Sequence, residues 1–438
     1  MSFLAILLAT ILLLVLLISF CKINPFISFL IVAFIAGRLL GIPFQQLASS
    51  VQKGIGDMAG STLIVLCSGA MIGKLVAVSG AAEVIASRMM RIFGERYIQW
   101  GMLFTGFIIG IPIFYNVGFV LVVPIIFTLA HQYKLPIVFV GLPMLASLSV
   151  AHGFLPPHPS PSALVSIFHA DLGKTLLWGL IVAFPTLVLA GPVFSSMIKN
   201  IQPVGEPPLI THLKKPDQLP SVFNSFFSAL LPVFLLIFTS FIKYLVPDQS
   251  LAGQAASFIS EPSVLMILSV LFCSLSLGVF LGKTMKQVMG LFEEAIKEIA
   301  VLILIIACSG ALKQVITDSG AGNQIAEFFK QSQVNPLLLG WIIAATLRVC
   351  IGSATAAGLT AAGIILPLMS HSAINPSLMV LSIGSGSLMF SHVNDPGFWM
   401  FKEYFNLSLK DTFRSWSLME TIVSVVGLAG VMLLNAFL

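Results

Sequence analysis

Long apolar runs alternate with short polar segments from one end of the chain to the other. LAILLATILLLVLLISF at 4–20 and FLIVAFIAG at 29–37 are the first of many such runs. About 20 apolar residues can cross a bilayer as a helix, and backbone polar groups in lipid must be hydrogen-bonded within the segment. The pattern therefore predicts an all-α polytopic membrane protein that forms one unit, without a soluble catalytic domain.

The two halves of the sequence resemble each other at an offset close to 240 residues. CSGA at 67–70 recurs at 308–311, and Trp100 corresponds to Trp341, each opening an apolar run. A collinear series that keeps its register indicates a tandem duplication. We therefore divide the chain into a first repeat at 1–200, a cytoplasmic linker at 201–222 and a second repeat at 223–438.

Basic residues predict how each half is oriented in the membrane. Clusters such as Arg88, Arg91 and Arg96 should face the cytoplasm. If each half has one re-entrant hairpin in place of two full spans, it crosses the membrane about five times, and the second half is inverted. The sequence thus predicts two inverted repeats, with hairpins at about 98–131 and 337–370 and broken helices at about 137–168 and 376–405.

Polar, glycine- and proline-rich breaks interrupt the apolar runs at matching places in the two halves. IGIPIFYNVGF at 109–119 matches VCIGSATAAGL at 349–359, and AHGFLPPHPSPS at 151–162 matches SHVNDPGFW at 391–399. Unwound backbone at membrane depth survives only where protein or a water-filled cavity surrounds it. Paired breaks of this kind therefore predict one polar cavity near the middle of the membrane.

The residue types at these breaks suit a small polar anion. Half-helix N-termini offer free amide groups and a positive dipole end that favour a carboxylate. Hydroxyl, amide and imidazole groups suit a molecule with several hydroxyls. Glycine and serine also serve close helix packing, and a membrane histidine often bonds a neighbouring carbonyl, so structural roles are the alternative. The candidate binding residues are Tyr115, Asn116, Gly118, His152, His158, Gly352, Ser353, Thr355 and Asn394.

Charged residues within the apolar stretches are few, and an unpaired one is costly enough to indicate function. Asp395, directly before a proline in a broken helix, is the acidic candidate for a proton carrier, with His152 and His392 as rivals. Arg348 is the candidate fixed cation. The alternative is that Arg348 and Asp395 simply pair with each other. The basic residues lie in short loops without aromatic interleaving, which argues against nucleic-acid binding.

Three long segments resemble the gluconate permease family, the gluconate:proton symporters. They are HGFLPPHPSPSA at 152–163, LRVCIGSATAAGLTAAGI at 347–364 and SHVNDPGFWMFKEYFNL at 391–407. The resemblance covers essentially the whole chain. It implies proton-driven uptake of gluconate or a related sugar acid across the bacterial inner membrane. It also implies a scaffold part and a mobile transport part in each protomer, a homodimer in membrane lipid, and no cofactor.

One position departs from the family pattern. Relatives usually carry a carboxylate in the first hairpin tip, where this chain has FYNVGF with Asn116. Asparagine cannot titrate, so coupling would move to Asp395 or a histidine, use sodium, or be lost. The cargo alternatives are another small carboxylate and D-serine. A passive channel is a further alternative. A membrane enzyme would need a pattern such as HExxH, GxSxG or CxxC, and the sequence has none.

Overall fold

A computed structural model of the chain shows helices joined by short connections. It describes residues 6, 9–10, 12–14, 16–113, 115–205, 218–247, 249–319, 334–369, 374–393 and 395–438. The regular elements in these ranges are helical, and no strand occurs among them. The prediction of an all-α fold is confirmed.

The longer helices are labelled here in chain order. They are α1 Pro25–Leu39, α2 Phe44–Val78, α3 Ala81–Phe93, α4 Ile98–Gly110, α5 Tyr115–Gln132, α6 Ile137–Phe154, α7 Pro159–Phe168, α8 Leu172–Val188, α9 Val222–Leu245, α10 Leu251–Ser260, α11 Pro262–Cys273, α12 Met285–Asp318, α13 Pro336–Ile351, α14 Ala354–Met369, α15 Pro376–Gly386, α16 Pro396–Tyr404 and α17 Leu418–Phe437. Short π-helical turns extend three of them: Leu189–Val193 follows α8, Ser274–Gly278 follows α11 and Phe413–Ser417 precedes α17.

Several helical segments are long and apolar enough to cross a membrane. Within the described ranges there are five, or up to seven if α2 and α12, which are bent by 40° and 43°, each count as one span. The five are Ile137–Phe168, Leu172–Met197, Val222–Thr239, Pro262–Leu281 and Leu409–Phe437. The protein is therefore a multi-pass membrane protein. The predicted first span, residues 1–20, lies partly outside the described residues.

The elements follow the same order in both halves. Each half contains one long bent helix, α2 with 35 residues and α12 with 34. A helix pair, α4–α5 or α13–α14, comes later in each half, and an interrupted helix, α6–α7 or α15–α16, follows that pair. α4 has 13 residues, and α13 and α14 have 16 each, fewer than the roughly 20 that a full span needs. Each half thus contributes two interruptions.

Four helices begin with an Asn or Asp followed by proline. The acidic or amide side chain accepts a hydrogen bond from the backbone N–H two residues later, at 2.9–3.0 Å. Proline at the first helical position loses no hydrogen bond, because that N–H has no partner in a helix. The four capping residues are Asn24, Asn335, Asn375 and Asp395. Local sequence therefore determines where α1, α13, α15 and α16 begin.

The two halves pack their helix pairs in a similar way. In the first half, the Ser147 hydroxyl on α6 donates to the Leu103 carbonyl on α4 at 2.7 Å. In the second half, the Ser382 hydroxyl on α15 donates to the Leu337 carbonyl on α13 at 2.6 Å. Small residues and serine hydroxyls are typical of helix contacts in membranes, where burial of apolar side chains gives little driving force. These contacts hold each helix pair against its interrupted helix.

The long helices α2 and α12 cross at two glycines. A side chain added at Gly54 would meet the Gly310 carbonyl oxygen, and one added at Gly310 would meet the Gly54 carbonyl oxygen. The two backbones therefore touch directly, which only glycine permits. Because α2 belongs to the first half and α12 to the second, this crossing joins the halves.

Candidate functional site

A polar cavity of about 290 Å³ lies where interruptions from both halves meet. Many of the predicted site residues line it: Tyr115, His152, Arg348, Gly352, Ser353, Thr355 and Asp395. Other residues that line it were not singled out from the sequence: Ser149, Glu298, Trp416 and Glu420. The first half contributes α5 and α6, and the second half contributes the rest.

The turn between α13 and α14 forms one wall. Gly352 ends α13 in the left-handed conformation, with φ +81°, which glycine adopts without steric cost. The chain then reverses, and the Ser353 hydroxyl accepts the Ala356 N–H at 3.3 Å at the start of α14. Ser353 and Thr355 both line the cavity. The positive end of the α14 dipole is thus directed at the cavity.

Arg348 and Asp395 form a buried ion pair at this turn. The Arg348 Nη2 group contacts Asp395 Oδ2, and Nη1 donates to the Gly352 carbonyl oxygen. The two side chains are only 5% and 14% exposed. Asp395 also accepts hydrogen bonds from the Ser391 hydroxyl and from the Gly397 N–H, at 3.0 Å for the latter. This pair ties the turn after α13 to the start of α16.

Trp416 extends the network toward α17. Its indole Nε1–H donates to the Ser391 hydroxyl at 2.8 Å, and that hydroxyl in turn donates to Asp395. The Ser417 hydroxyl donates to the Ser391 carbonyl oxygen. Trp416 thus supports the Ser391 hydroxyl, which is one of the donors that orient the Asp395 carboxylate.

Aromatic rings from the first half form another part of the wall. The Tyr115 ring lies 5.6 Å from the His152 ring and 6.2 Å from the Trp416 ring. The Tyr115 hydroxyl and His152 Nδ1 are buried and have no hydrogen-bond partner among the described residues. Buried polar atoms without a partner are costly and uncommon. Both residues line the cavity.

Glu420 is the functional candidate that sequence reasoning missed. It is 2% exposed and lines the cavity, and its Oε1 accepts a hydrogen bond from the Ser149 hydroxyl. In the sequence it stands near the start of the apolar run 421–438, where a charge resembles an interfacial residue. The π-helical turn before α17 makes Leu409–Phe437 one continuous span, which places Glu420 inside it. The rule that an intramembrane charge indicates function would have identified it.

One wall comes from the long helix α12. Glu298 lines the cavity and accepts a hydrogen bond from Lys74 Nζ at 2.7 Å. Lys74, on α2, also lies 3.1 Å from Glu294. The Glu298 charge is therefore partly offset by a cation on the neighbouring long helix, which Glu298 shares with Glu294.

Several predicted site residues lie outside the cavity wall. His158 lies behind His152, with ring centroids 5.5 Å apart, and its Nε2 donates to the Gly110 carbonyl oxygen. His392 Nε2 donates to the Val349 carbonyl oxygen at 2.8 Å. Gly118 is buried beside Leu148. The side chain of Asn116 and the whole of Asn394 lie outside the described residues.

Known proteins resemble this chain over its whole length. A model of the family described as GntP family permease matches residues 1–437. The high-affinity gluconate transporter of Escherichia coli (strain K12) is 43% identical over 426 residues, covering 97% of each chain. The L-idonate transporter of the Gnt-II system of the same strain is 41% identical, covering 98% of this chain and 97% of that one.

Similarity extends to other bacteria and to a solved structure. The gluconate permease of Bacillus subtilis (strain 168) is 42% identical, covering 94% of this chain and 95% of that protein. The crystal structure of the Alcanivorax borkumensis YdaH transporter, described as having an unusual topology, superposes with a TM-score of 0.67. It covers 94% of this chain and 98% of that chain at 13% identity, so this likeness concerns the fold alone.

Proposed function

The chain belongs to the GntP family of permeases, and from that premise we propose that it takes up gluconate or a related sugar acid across the bacterial inner membrane by proton symport. It is a transporter, as its relatives are permeases and transporters with no enzyme among those compared. The relatives named for gluconate and L-idonate define the class of cargo that we propose. A sugar acid joins one carboxylate to a chain of hydroxyls.

The observation that carries the proposal is the composition of the cavity. At one wall, the positive end of the α14 dipole and the guanidinium of Arg348, which remains paired with Asp395, suit a carboxylate. Tyr115 and His152, in another part of the wall, supply buried unpartnered polar atoms, which a rotation of either side chain would bring to the cargo hydroxyl groups. Apolar or polycationic cargo would leave these groups unsatisfied, which costs binding free energy.

We propose that transport proceeds by alternating access. α1, α11 and α12 contact α2, and α1 also contacts α12, while α4–α8, α13–α15 and α17 form a second group of contacts. The two groups touch where α12 packs on α14 and α2 packs on α7. The cavity lies mainly in the second group, and Glu298 and Ile299 on α12 close one side. In this proposal the second group carries the cargo and moves against the first, with protomers assembled as homodimers. The wall formed by α12 would then be exchanged for another surface as the cargo crosses.

Transport by purified protein in liposomes tests the function directly. With an acidic exterior, we expect labelled gluconate to accumulate inside and the accumulation to vanish with a protonophore. Unlabelled L-idonate should compete, and D-serine should not. Accumulation that follows a sodium gradient would favour the sodium alternative raised by Asn116. Uptake that only equilibrates and shows no counterflow would indicate a channel.

Tyr115→Phe should weaken substrate binding without destabilising the protein. The hydroxyl has no partner among the described residues, so its loss breaks no internal hydrogen bond. One lost substrate hydrogen bond contributes about 0.5–1.5 kcal/mol, so half-saturation of gluconate uptake should need roughly 3- to 10-fold more substrate. Tyr97→Phe, at a residue that is 51% exposed, is the matched control. It should change neither the half-saturating gluconate concentration nor the stability of the protein. Unchanged affinity in Tyr115→Phe would exclude the hydroxyl from the binding site.

A further inference from the structure

We propose that Glu420 is the proton-carrying group of this transporter and that a proton on Glu420 enters the cavity together with the anionic cargo. The proposal rests on the proposed function, because it names the residue through which the cargo is coupled to protons. It departs from the sequence-based candidates Asp395, His152 and His392.

The environment of Glu420 separates it from Asp395. The Asp395 carboxylate is held by the Arg348 guanidinium, by the Ser391 hydroxyl and by the Gly397 N–H. A proton on Asp395 would break an ion pair and expose the Arg348 charge. At Glu420, Ser149 donates to Oε1, while Oε2 has no partner within the described residues. A proton can occupy Oε2 without displacing any contact in this structure.

The two histidine candidates differ from Glu420 in their contacts. His392 donates from Nε2 to the Val349 carbonyl oxygen and does not line the cavity. His152 lies at the cavity against Tyr115 and His158. A positive charge on its imidazole would have no carboxylate partner in any ion pair formed by the described residues. Neither histidine therefore provides a proton site whose charge the surroundings balance.

The charges around the cavity explain why a proton must accompany the cargo. Arg348 pairs with Asp395, and Glu298 shares the Lys74 ammonium with Glu294. Glu420 is the remaining charged side chain of the described lining. An anionic cargo beside an ionised Glu420 would place two like charges close together at a side chain that is only 2% exposed, where their repulsion is only weakly screened. A proton on Glu420 removes this repulsion, so proton and cargo favour each other's binding to the same extent.

The titratable and charged groups that face Glu420 come from every wall of the cavity. Arg348 stands on α13, and Asp395 caps α16. Tyr115 and His152 stand on α5 and α6. Glu298 faces it from α12 with its charge paired to Lys74. Of these, Arg348 alone favours an ionised Glu420, and its charge is already engaged by Asp395.

The test compares Glu420→Gln with Glu83→Gln in proteoliposomes. Glutamine keeps the size of the side chain and cannot titrate. Glu83, on α3 outside the cavity, also has a buried Oε2 without a partner among the described residues, so it controls for loss of a buried membrane carboxyl. Under an imposed gradient of one pH unit, wild-type protein and Glu83→Gln should accumulate gluconate about tenfold, the ratio of the two proton concentrations. Glu420→Gln should not exceed equilibration, while counterflow exchange of labelled gluconate persists.

The outcomes separate this inference from the proposed function. Gluconate accumulation by Glu420→Gln that still follows the pH gradient overturns the role of Glu420 and leaves sugar-acid symport standing. Absence of sugar-acid uptake by the wild-type protein overturns the proposed function itself. Accumulation by wild-type protein that follows sodium and ignores pH overturns proton coupling at any residue.

A second measurement applies even if Glu420→Gln does not fold. When gluconate is added to wild-type protein in weakly buffered detergent, the protein should take up about one proton for each gluconate molecule that binds. An indicator dye reports this proton uptake. Gluconate affinity should fall about tenfold per pH unit once Glu420 is ionised in the empty carrier. Binding without proton uptake at any pH overturns the proposal.

Discussion

Arg348→Gln will reduce gluconate uptake by about 100-fold or more and will destabilise the protein. The substitution removes the cation that we propose to face the cargo carboxylate, and it leaves Asp395 as an uncompensated buried charge. Removing one partner of a buried pair costs about 3–5 kcal/mol. Initial uptake in proteoliposomes and thermal unfolding in detergent measure the two effects.

Two further variants distinguish stability from transport. Arg348→Gln combined with Asp395→Asn removes both charges, so much of the lost stability should return while uptake stays low. Arg414→Gln, at an exposed arginine 3.8 Å from Asp411, is the matched control and should keep both properties near wild type. Uptake within a few-fold of wild type in Arg348→Gln would exclude this residue as the anchor of the carboxylate.

Gly310→Leu will separate the two long helices and destabilise the whole protein. Its side chain would enter the space of the Gly54 carbonyl oxygen and of the Met58 side chain. Overpacking of a close contact costs about 1–3 kcal/mol and occasionally more, and here a backbone atom blocks relaxation. We therefore expect about 3 kcal/mol or more, seen as a lower unfolding temperature and a lower yield of monodisperse protein.

Gly56→Leu is the matched control for the glycine crossing. Gly56 lies on the same helix as Gly54, and a side chain added there would meet no atom within 4 Å. This substitution should leave the unfolding temperature close to wild type or raise it slightly, because leucine favours the helix more than glycine does. Equal effects of Gly310→Leu and Gly56→Leu would show that the crossing is not required for stability.

Much of the helical fold could be predicted because its determinants are local. Apolar runs of membrane-spanning length and Asn-Pro or Asp-Pro starts are written in consecutive residues. α6 and α7 are interrupted between Phe154 and Pro159, in a stretch whose prolines are read directly from the sequence; the division into repeats stays a prediction. The helices shorter than a full span, such as α4, also follow from local sequence.

Residue types alone did not decide which polar groups share the cavity. His152 and His158 stand six residues apart and are both imidazoles, yet one lines the cavity and the other donates to the Gly110 carbonyl oxygen behind it. Helix rotation and packing determine that difference. Arg348 and Asp395 could be identified as intramembrane charges, and the open alternative that they pair is what the structure contains.

The sequence by itself determined the all-helical membrane class, the interruptions and the family, because each depends on composition or on neighbouring residues. Only the tertiary structure decided that Glu420, Ser149 and Trp416 belong to the cavity. Ser149 lies on α6, whereas Trp416 and Glu420 lie on the span that contains α17. Ser149 and Glu420 are 271 residues apart in the chain. Their meeting depends on how separate helices pack, since no local pattern specifies which faces of two distant helices will touch.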